Sequence, residues 1–147
     1  MTVRRPPMSR SENMARVKNA DTEPERAVRH ILWHAGFRYR KNVKTLPGKP
    51  DIYLGKYRLA IFIHGCFWHQ HPGCAKATIP KTNSAFWREK LYKNVERDAE
   101  NRERLTAAGI FVLTLWECEV KQMVADRLYE QQFLQRIRDI IAERSCR

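Results

Sequence analysis

No stretch of this chain approaches the ~18 uninterrupted apolar residues that a membrane span requires. The segment Met1 to Asn13 is basic and polar, with no apolar run of the kind a signal peptide needs. These absences predict a cytoplasmic protein without a membrane partner. Acidic residues are scarce: 16 Asp and Glu stand against 28 Lys and Arg, a net charge of +12 in 147 residues. Such an excess suits a polyanion, because each phosphate neutralised releases condensed counterions. Nucleic acid is the leading partner and an anionic membrane surface the weaker one. Ribosomal and merely solubilised basic proteins share this balance, so charge alone fixes no function. Cysteines are few, four in all, and a reducing compartment argues against disulfides, which leaves metal binding or plain burial.

What is present fits one globular domain. The length leaves little room for a second core, and a 43% apolar content with four tryptophans argues against disorder. There is no internal repeat. Residues 1–20 read as a basic arm, with Arg4, Arg5, Arg10, Arg16 and Lys18 around Met14, and residues 21–147 as the single domain. Thr22 and Glu25 form a T-x-x-E capping box with Pro24 in the first turn. Ala27, Val28, Ile31, Leu32 and Ala35 follow at helical spacing, and Gly36 supplies the stop. Phe37 to Val43 alternates weakly, as an edge strand would, and Leu46-Pro47-Gly48-Lys49-Pro50 is a turn. Asp51–Leu54 and Tyr57–Ile63 read as a hairpin through Gly55-Lys56, the second strand apolar enough to be buried on both faces. Residues 64–84 have loop composition, and a long helix runs from about Asn83 or Ser84 to Ala108 before Gly109. Ile110–Trp116 is another strand, so strand, helix, strand implies a parallel crossover. Val120 to Ala142 reads as one or two amphipathic helices. The fold class is α/β with a mixed sheet flanked by helices.

Cys66, His71, Cys74 and Cys118 are the strongest chemical grouping. The loop spacing C-x4-H-x2-C lets three ligands wrap one ion, and Cys118 lies just past the strand that ends at Trp116. If that strand neighbours Tyr57–Ile63, two sheet-adjacent loops supply a Cys3His set with all four positions filled by protein, the pattern of a structural zinc. A metal clip would also hold a loop of roughly 20 residues that packing alone holds poorly. The plainer reading is cysteines buried as small hydrophobes, and His69 is an alternative ligand to His71. Cys146, near the end of the sequence, reads as a free thiol.

Asp51 opens one strand of the hairpin and His64 follows the other. A carboxylate facing a polar group across a hairpin is used by metal-dependent phosphodiesterases, since carboxylate oxygens suit Mg²⁺ and the scissile phosphate completes its shell. His64 and His69 bracket Phe67-Trp68, and an imidazole titrates where it can accept a proton from water. Plainer readings exist for each. Asp51 after proline serves turns, Glu25 caps its helix in any case, and Asp98 among arginines suits a solvated ion pair.

Taken together, Pro50-Asp51, the run Ile61-Phe62-Ile63-His64-Gly65-Cys66-Phe67-Trp68-His69, Phe86-Trp87, Lys93-Asn94-Val95-Glu96-Arg97-Asp98 and Trp116-Glu117-Cys118 resemble the very short patch repair (Vsr) endonucleases, from about Asn13 to Cys118. The resemblance implies a restriction-endonuclease-like fold and a structural Zn²⁺ on Cys66, His71, Cys74 and Cys118. It implies as substrate double-stranded DNA with the T:G mismatch left by 5-methylcytosine deamination, nicked 5′ of the thymine. Asp51 and the backbone carbonyl of Ile63 would hold Mg²⁺, and His69, oriented by Asp98, would activate water. His64 would contact the phosphate and Glu25 would complete the metal's water shell. Phe67, Trp68 and Trp87 resemble the family's aromatic wedge, with Met14 entering from the other groove and Lys90 and Asn94 reaching the mismatched bases. Phe86 is expected in the core. The asymmetric substrate suggests a monomer, working at the bacterial nucleoid with mismatch-repair proteins as partners.

The chain departs from the pattern in places. Ile63-His64-Gly65 stands where restriction enzymes carry an acidic-x-Lys motif, Ile63 replaces an expected threonine, and Pro72-Gly73 adds a residue before Cys74. Two other functions compete: a broader nuclease of the same fold, and a zinc-stabilised protein that recognises distorted duplexes without cutting.

Overall fold

The computed structural model describes residues 21–145, so the basic arm with Met14, and Cys146, lie outside the described residues. The first helix, α1, spans Glu23–His34. Thr22 Oγ1 accepts from the Glu25 N–H at 3.4 Å, and the Glu25 carboxylate reaches back to the Asp21 N–H at 2.9 Å. The capping exchange therefore closes one residue earlier than a simple box, with Asp21 at φ 55. Val28, Ile31 and Leu32 form the buried stripe, and Gly36 takes φ 93 just past the helix end.

Four strands follow: β1 (Arg40–Lys41), β2 (Ile52–Leu54), β3 (Leu59–His64) and, after the helix α2 (Ser84–Ala107), β4 (Phe111–Trp116). They form one mixed sheet in the order β1-β2-β3-β4. The first two pairings are antiparallel and β3–β4 is parallel, with α2 in the crossover as expected. No helix among the described residues is long and apolar enough to cross a membrane.

Three boundaries differ from the sequence reading for local reasons. The edge strand expected over Phe37–Val43 contracts to Arg40–Lys41, because Asn42 turns to φ 48 and breaks the extended backbone. Asn42 and Val43 still donate to the carbonyls of Asp51 and Pro50 at 3.0 and 3.1 Å, so the segment stays tied to the start of β2. The hairpin is not a two-residue turn. Gly55–Tyr57 forms a short 3-10 turn with Arg58 at φ 51, which moves the start of β3 to Leu59. The C-terminal region is two helices, α3 (Glu117–Ala125) and α4 (Arg127–Ser145), separated at Asp126, whose side chain accepts from the Leu128 N–H at 2.9 Å.

All six residues of β3 are buried, and their alternation assigns the two faces. Leu59, Ile61 and Ile63 join Leu32, Leu115 and Ile137 in the main core, on the side of α1, α3 and α4. Ala60 and Phe62 face α2 and pack with Leu105, Ile110 and Val112. The same period of two carries His64 to the α2 side, where its ring lies 5.7 Å from that of Phe62. Truncating a core residue such as Ile61 to alanine would cost about 2–5 kcal/mol.

The turn before β2 is pinned from above. Gly48 sits at φ +75, and a Cβ there would come within 3.0 Å of the Asn101 side chain on α2. Only glycine meets both demands, and this close approach delivers the buried Pro50 and then Asp51 to the mouth of β2. Phe86 is not core: it is 58% exposed on the first turn of α2. Only Leu91 and Leu105 of α2 are buried, so the early turns of this helix overhang the loop that precedes it.

Candidate active site

Asp51 Oδ2 accepts from the Ile63 N–H at 2.7 Å, which fixes the carboxylate against the end of β3. Burial pushes the Asp51 carboxyl up to about 7, and the neighbouring Glu25 adds repulsion, while the Ile63 N–H and nearby His69 oppose the shift. A buried carboxylate with a second carboxylate close by favours either a proton or a cation. Glu25 itself is 3% exposed. Besides its bond to the Asp21 N–H, it lies 3.7 Å from the Arg29 guanidinium, which also pairs with Asp21.

His64 ends β3 and His69 lies in the following loop. Their imidazoles stack with centroids 3.9 Å apart and planes 7° from parallel. Burial, with His69 alongside, pushes the His64 imidazole down to about 4, so it is neutral around pH 7. His69 Nδ1 meets Asp98 Oδ2 of α2 at 2.6 Å. When Nδ1 carries the ring proton and donates to Asp98, the lone pair falls on Nε2, the tautomer a general base requires. A cavity of about 320 Å³ opens beside this pair, between α2 and the sheet, with Phe62, Trp116 and Arg102 among its walls.

Cys66, His71, Cys74 and Cys118 converge, one ligand atom from each lying within 4.8 Å of the others. The β3–β4 register explains the meeting. His64 pairs with Trp116, so Cys66 and Cys118 each follow a neighbouring strand end by the same two residues. Cys118 occupies the first turn of α3 rather than the loop expected for it. His71 Nδ1 lies 3.7 Å from Cys66 Sγ and 3.4 Å from Cys118 Sγ. The loop is wound by the His71 N–H donating to the Cys66 carbonyl at 2.9 Å and the Cys74 N–H to the His71 carbonyl at 3.2 Å. Between His71 and Cys74 the backbone turns at Gly73, φ 74. His71, and not His69, therefore sits among the sulfurs. Burial pushes the Cys66 thiol up to about 11, whereas the Lys76 N–H holds Cys74 below its ordinary value. The three cysteines are free of disulfides, and three sulfurs with one imidazole are a donor set that fits a tetrahedral metal ion, with no position left for substrate.

On the outer side of the same loop lies an aromatic cluster. Phe67 meets Trp68 edge-on at 5.2 Å and Trp87 at 5.8 Å, and Phe86 meets Trp87 at 5.5 Å. The Lys90 ammonium lies 5.5 Å from the Trp68 ring and 5.8 Å from that of Trp87. Asn94 donates its amide to the Trp68 carbonyl at 3.1 Å, so in the free protein it positions the aromatic loop.

Two participants escaped the sequence reading as site residues. Trp116 stacks on His71 at 4.3 Å and meets His64 at 5.4 Å, linking the cysteine cluster to the histidine pair. Its signal was its place two residues before Cys118. Arg29, 7% exposed, balances Glu25 and Asp21, and only its position one turn after Glu25 hinted at this.

A buried carboxylate, a histidine–aspartate pair and a net charge of +12 are compatible with a nuclease, and comparison with known proteins supplies the family. The family model for DNA mismatch endonuclease Vsr matches residues 5–76. The chain is 46% identical over 132 residues to the type II nicking enzyme V.NmeAIP of Neisseria meningitidis serogroup A, spanning 90% of this chain and 94% of that one. It is 38% identical over 133 residues to the DNA mismatch endonuclease Vsr of Escherichia coli K12, spanning 90% and 83%. It is 41% identical over 125 residues to the type II nicking enzyme V.XorIIP of Xanthomonas oryzae, spanning 85% and 91%. The chain belongs to the Vsr family of DNA mismatch endonucleases and is a DNA-cleaving enzyme.

Proposed function

We propose that this enzyme nicks duplex DNA on the 5′ side of the thymine in T:G mismatches, the lesion left by deamination of 5-methylcytosine. The observation that carries this reading is the placement of Asp51, tied to Ile63, beside the His69–Asp98 pair on one edge of the sheet. The Asp51 carboxylate and the Ile63 carbonyl would hold Mg²⁺, which when bound polarises the scissile phosphate. His69 Nε2 takes the proton of the attacking water, and Asp98 holds the imidazole in that tautomer and stabilises its charged form. Neutral His64 donates to a phosphate oxygen, and Glu25 accepts from the waters around Asp51. The four-ligand cysteine–histidine set binds a structural Zn²⁺ that fixes the loop bearing His69 and the aromatics.

Phe67, Trp68 and Trp87 form a wedge that enters the stack beside the mismatch, where weakened pairing makes unstacking least costly. Lys90 approaches the mismatched bases, and Asn94 retains donor and acceptor capacity for them beyond its bond to Trp68. The arm at residues 1–20, Met14 included, adds phosphate contacts and a probe of the opposite groove. In this reading the sheet is the restriction-endonuclease core with its usual acidic-x-Lys pair replaced, and the enzyme is a cytoplasmic monomer at the nucleoid, with mismatch-repair proteins as partners. Several relatives are named type II nicking enzymes, which favours as second reading a nuclease of broader context.

End-labelled duplexes differing in one pair, T:G against C:G, test the proposal with and without Mg²⁺. A Mg²⁺-dependent nick 5′ of the thymine in the T:G duplex alone is the expected result. Equal cutting of both would replace it with the broader nuclease.

A further inference from the structure

The same three residues that the proposed mechanism uses for proton transfer and phosphate contact also form a metal-ligating set. One ligand atom from each of His64, His69 and Asp98 lies within 4.8 Å of the others. In a tetrahedral site with ligand bonds near 2.1 Å, ligand atoms stand roughly 3.4 Å apart. To take an ion, His69 Nδ1 and Asp98 Oδ2 part from their hydrogen-bond distance of 2.6 Å and the His69 ring turns out of its stack on His64, so that both imidazole planes meet the ion; His69 and Asp98 are partly solvent-accessible, at 29% and 26%. His64 ends β3 and Asp98 lies on α2, so the adjustment falls on His69 in the loop between them. The adjoining cavity leaves room for water to complete a coordination shell. Two imidazoles and one carboxylate with open positions suit a late divalent transition ion and suit Mg²⁺ poorly, since Mg²⁺ prefers oxygen.

We infer that His64, His69 and Asp98 form a second metal site, distinct from the cysteine set and from Asp51, that takes a divalent transition ion of the Zn²⁺ or Co²⁺ type and inhibits the nuclease when filled. The inhibitory part rests on the proposed role of His69, because an ion on Nδ1 takes the place of the proton there and leaves the ring N–H on Nε2, which can then no longer accept the proton of water. The binding part stands on the donor geometry alone. Free Zn²⁺ above what the cysteine centre takes would then silence cutting without unfolding the chain, and its removal would restore it.

Full-length protein carrying one Zn²⁺ on its cysteines is titrated with Co²⁺, read by calorimetry and by visible absorption. The expected result is one further Co²⁺ per chain with nitrogen–oxygen ligand-field bands and no new thiolate charge-transfer band. Asp98→Asn, which keeps side-chain shape on the open side of the site, should weaken that binding at least about tenfold, as should His64→Ala, while both keep the cysteine-bound Zn²⁺. Asp51→Asn should keep the extra Co²⁺. In Mg²⁺-supported nicking, added Zn²⁺ should inhibit, and a chelator selective for transition ions should reverse it. Absence of a second Co²⁺, or its persistence in both Asp98→Asn and His64→Ala, overturns the site. Loss only in Asp51→Asn moves the ion to that carboxylate and also overturns it. Binding without inhibition leaves the metal site standing and overturns the inhibitory role, and with it the role given to His69.

Discussion

Trp116 lies face to face with His71, ring centroids 4.3 Å apart and planes 11° from parallel, while its edge meets His64 at 5.4 Å. One side chain at the end of β4 thus braces both the cysteine–histidine set and the histidine pair. An aromatic contact of this kind contributes about 0.5–1.5 kcal/mol beyond burial, and groups supporting metal ligands typically change affinity about 10–100-fold. Trp116→Leu should therefore weaken zinc retention against a chelator by about tenfold and lower nicking by a similar factor, with Trp116→Phe close to wild type. A loss of nicking with unchanged zinc retention would separate the two halves of the site and contradict this bracing role.

Zinc and folding should be linked. The loop between β3 and α2 has no regular structure and its windings depend on turns at Cys66, His71 and Cys74. Cys118→Ser or chelation should lower the melting temperature sharply and abolish mismatch binding, because structural metal contributes folding free energy directly. Elemental analysis of folded protein should find one zinc per chain; well under one would remove the claim.

Asp51 and His64 make opposite contributions to stability as pH changes. The folded state holds the Asp51 proton up to about 7 against an ordinary value of 3.8, so its contribution is fully present below about 4 and is lost as pH rises through about 7. His64, held down to about 4 from 6.5, contributes stability above about 6.5 that is lost as pH falls towards about 4. A cation on Asp51 competes with the proton, so Mg²⁺ should raise the melting temperature more at about pH 8 than at about pH 5.5. Asp51→Asn should remove that response. Equal shifts at both pH values would contradict the placement of Mg²⁺ on Asp51.

The His69–Asp98 pair should matter to chemistry and little to folding, since both residues are partly exposed and neither belongs to a core cluster. Asp98→Asn and His69→Ala should each lower the single-turnover nicking rate about 10²–10⁴-fold, with mismatch affinity within a few-fold of wild type. Unchanged rates would remove the dyad from the mechanism.

Legibility in the sequence followed the range of the interactions. The capping residues of α1, the apolar run Leu59–Ile63 of β3 and the turn residues around Gly48 are local signals, and each element stands close to its expected place. The parallel pairing of β3 with β4 also followed from strand, helix, strand order, and that pairing brings Cys118 to Cys66. Contacts across the fold were less visible. Phe86 carries the same apolar signature as a core phenylalanine, but the first turns of α2 lie over the preceding loop and leave it exposed. The stack of Trp116 on His71 depends on register, which no local pattern at Trp116 states. Asn42 ended the edge strand because it adopts a left-handed conformation that asparagine tolerates but does not require.

The catalytic placement of Asp51 is tested most directly by one experiment that reads binding and cutting together for wild type and Asp51→Ala on a T:G duplex with Mg²⁺. Both proteins should bind the mismatch with similar affinity and only the wild type should nick, the variant falling by at least about 10³-fold, as expected when a metal-holding carboxylate is lost. An Asp51→Ala protein that nicks at the wild-type rate would show that the reaction is carried elsewhere in the molecule.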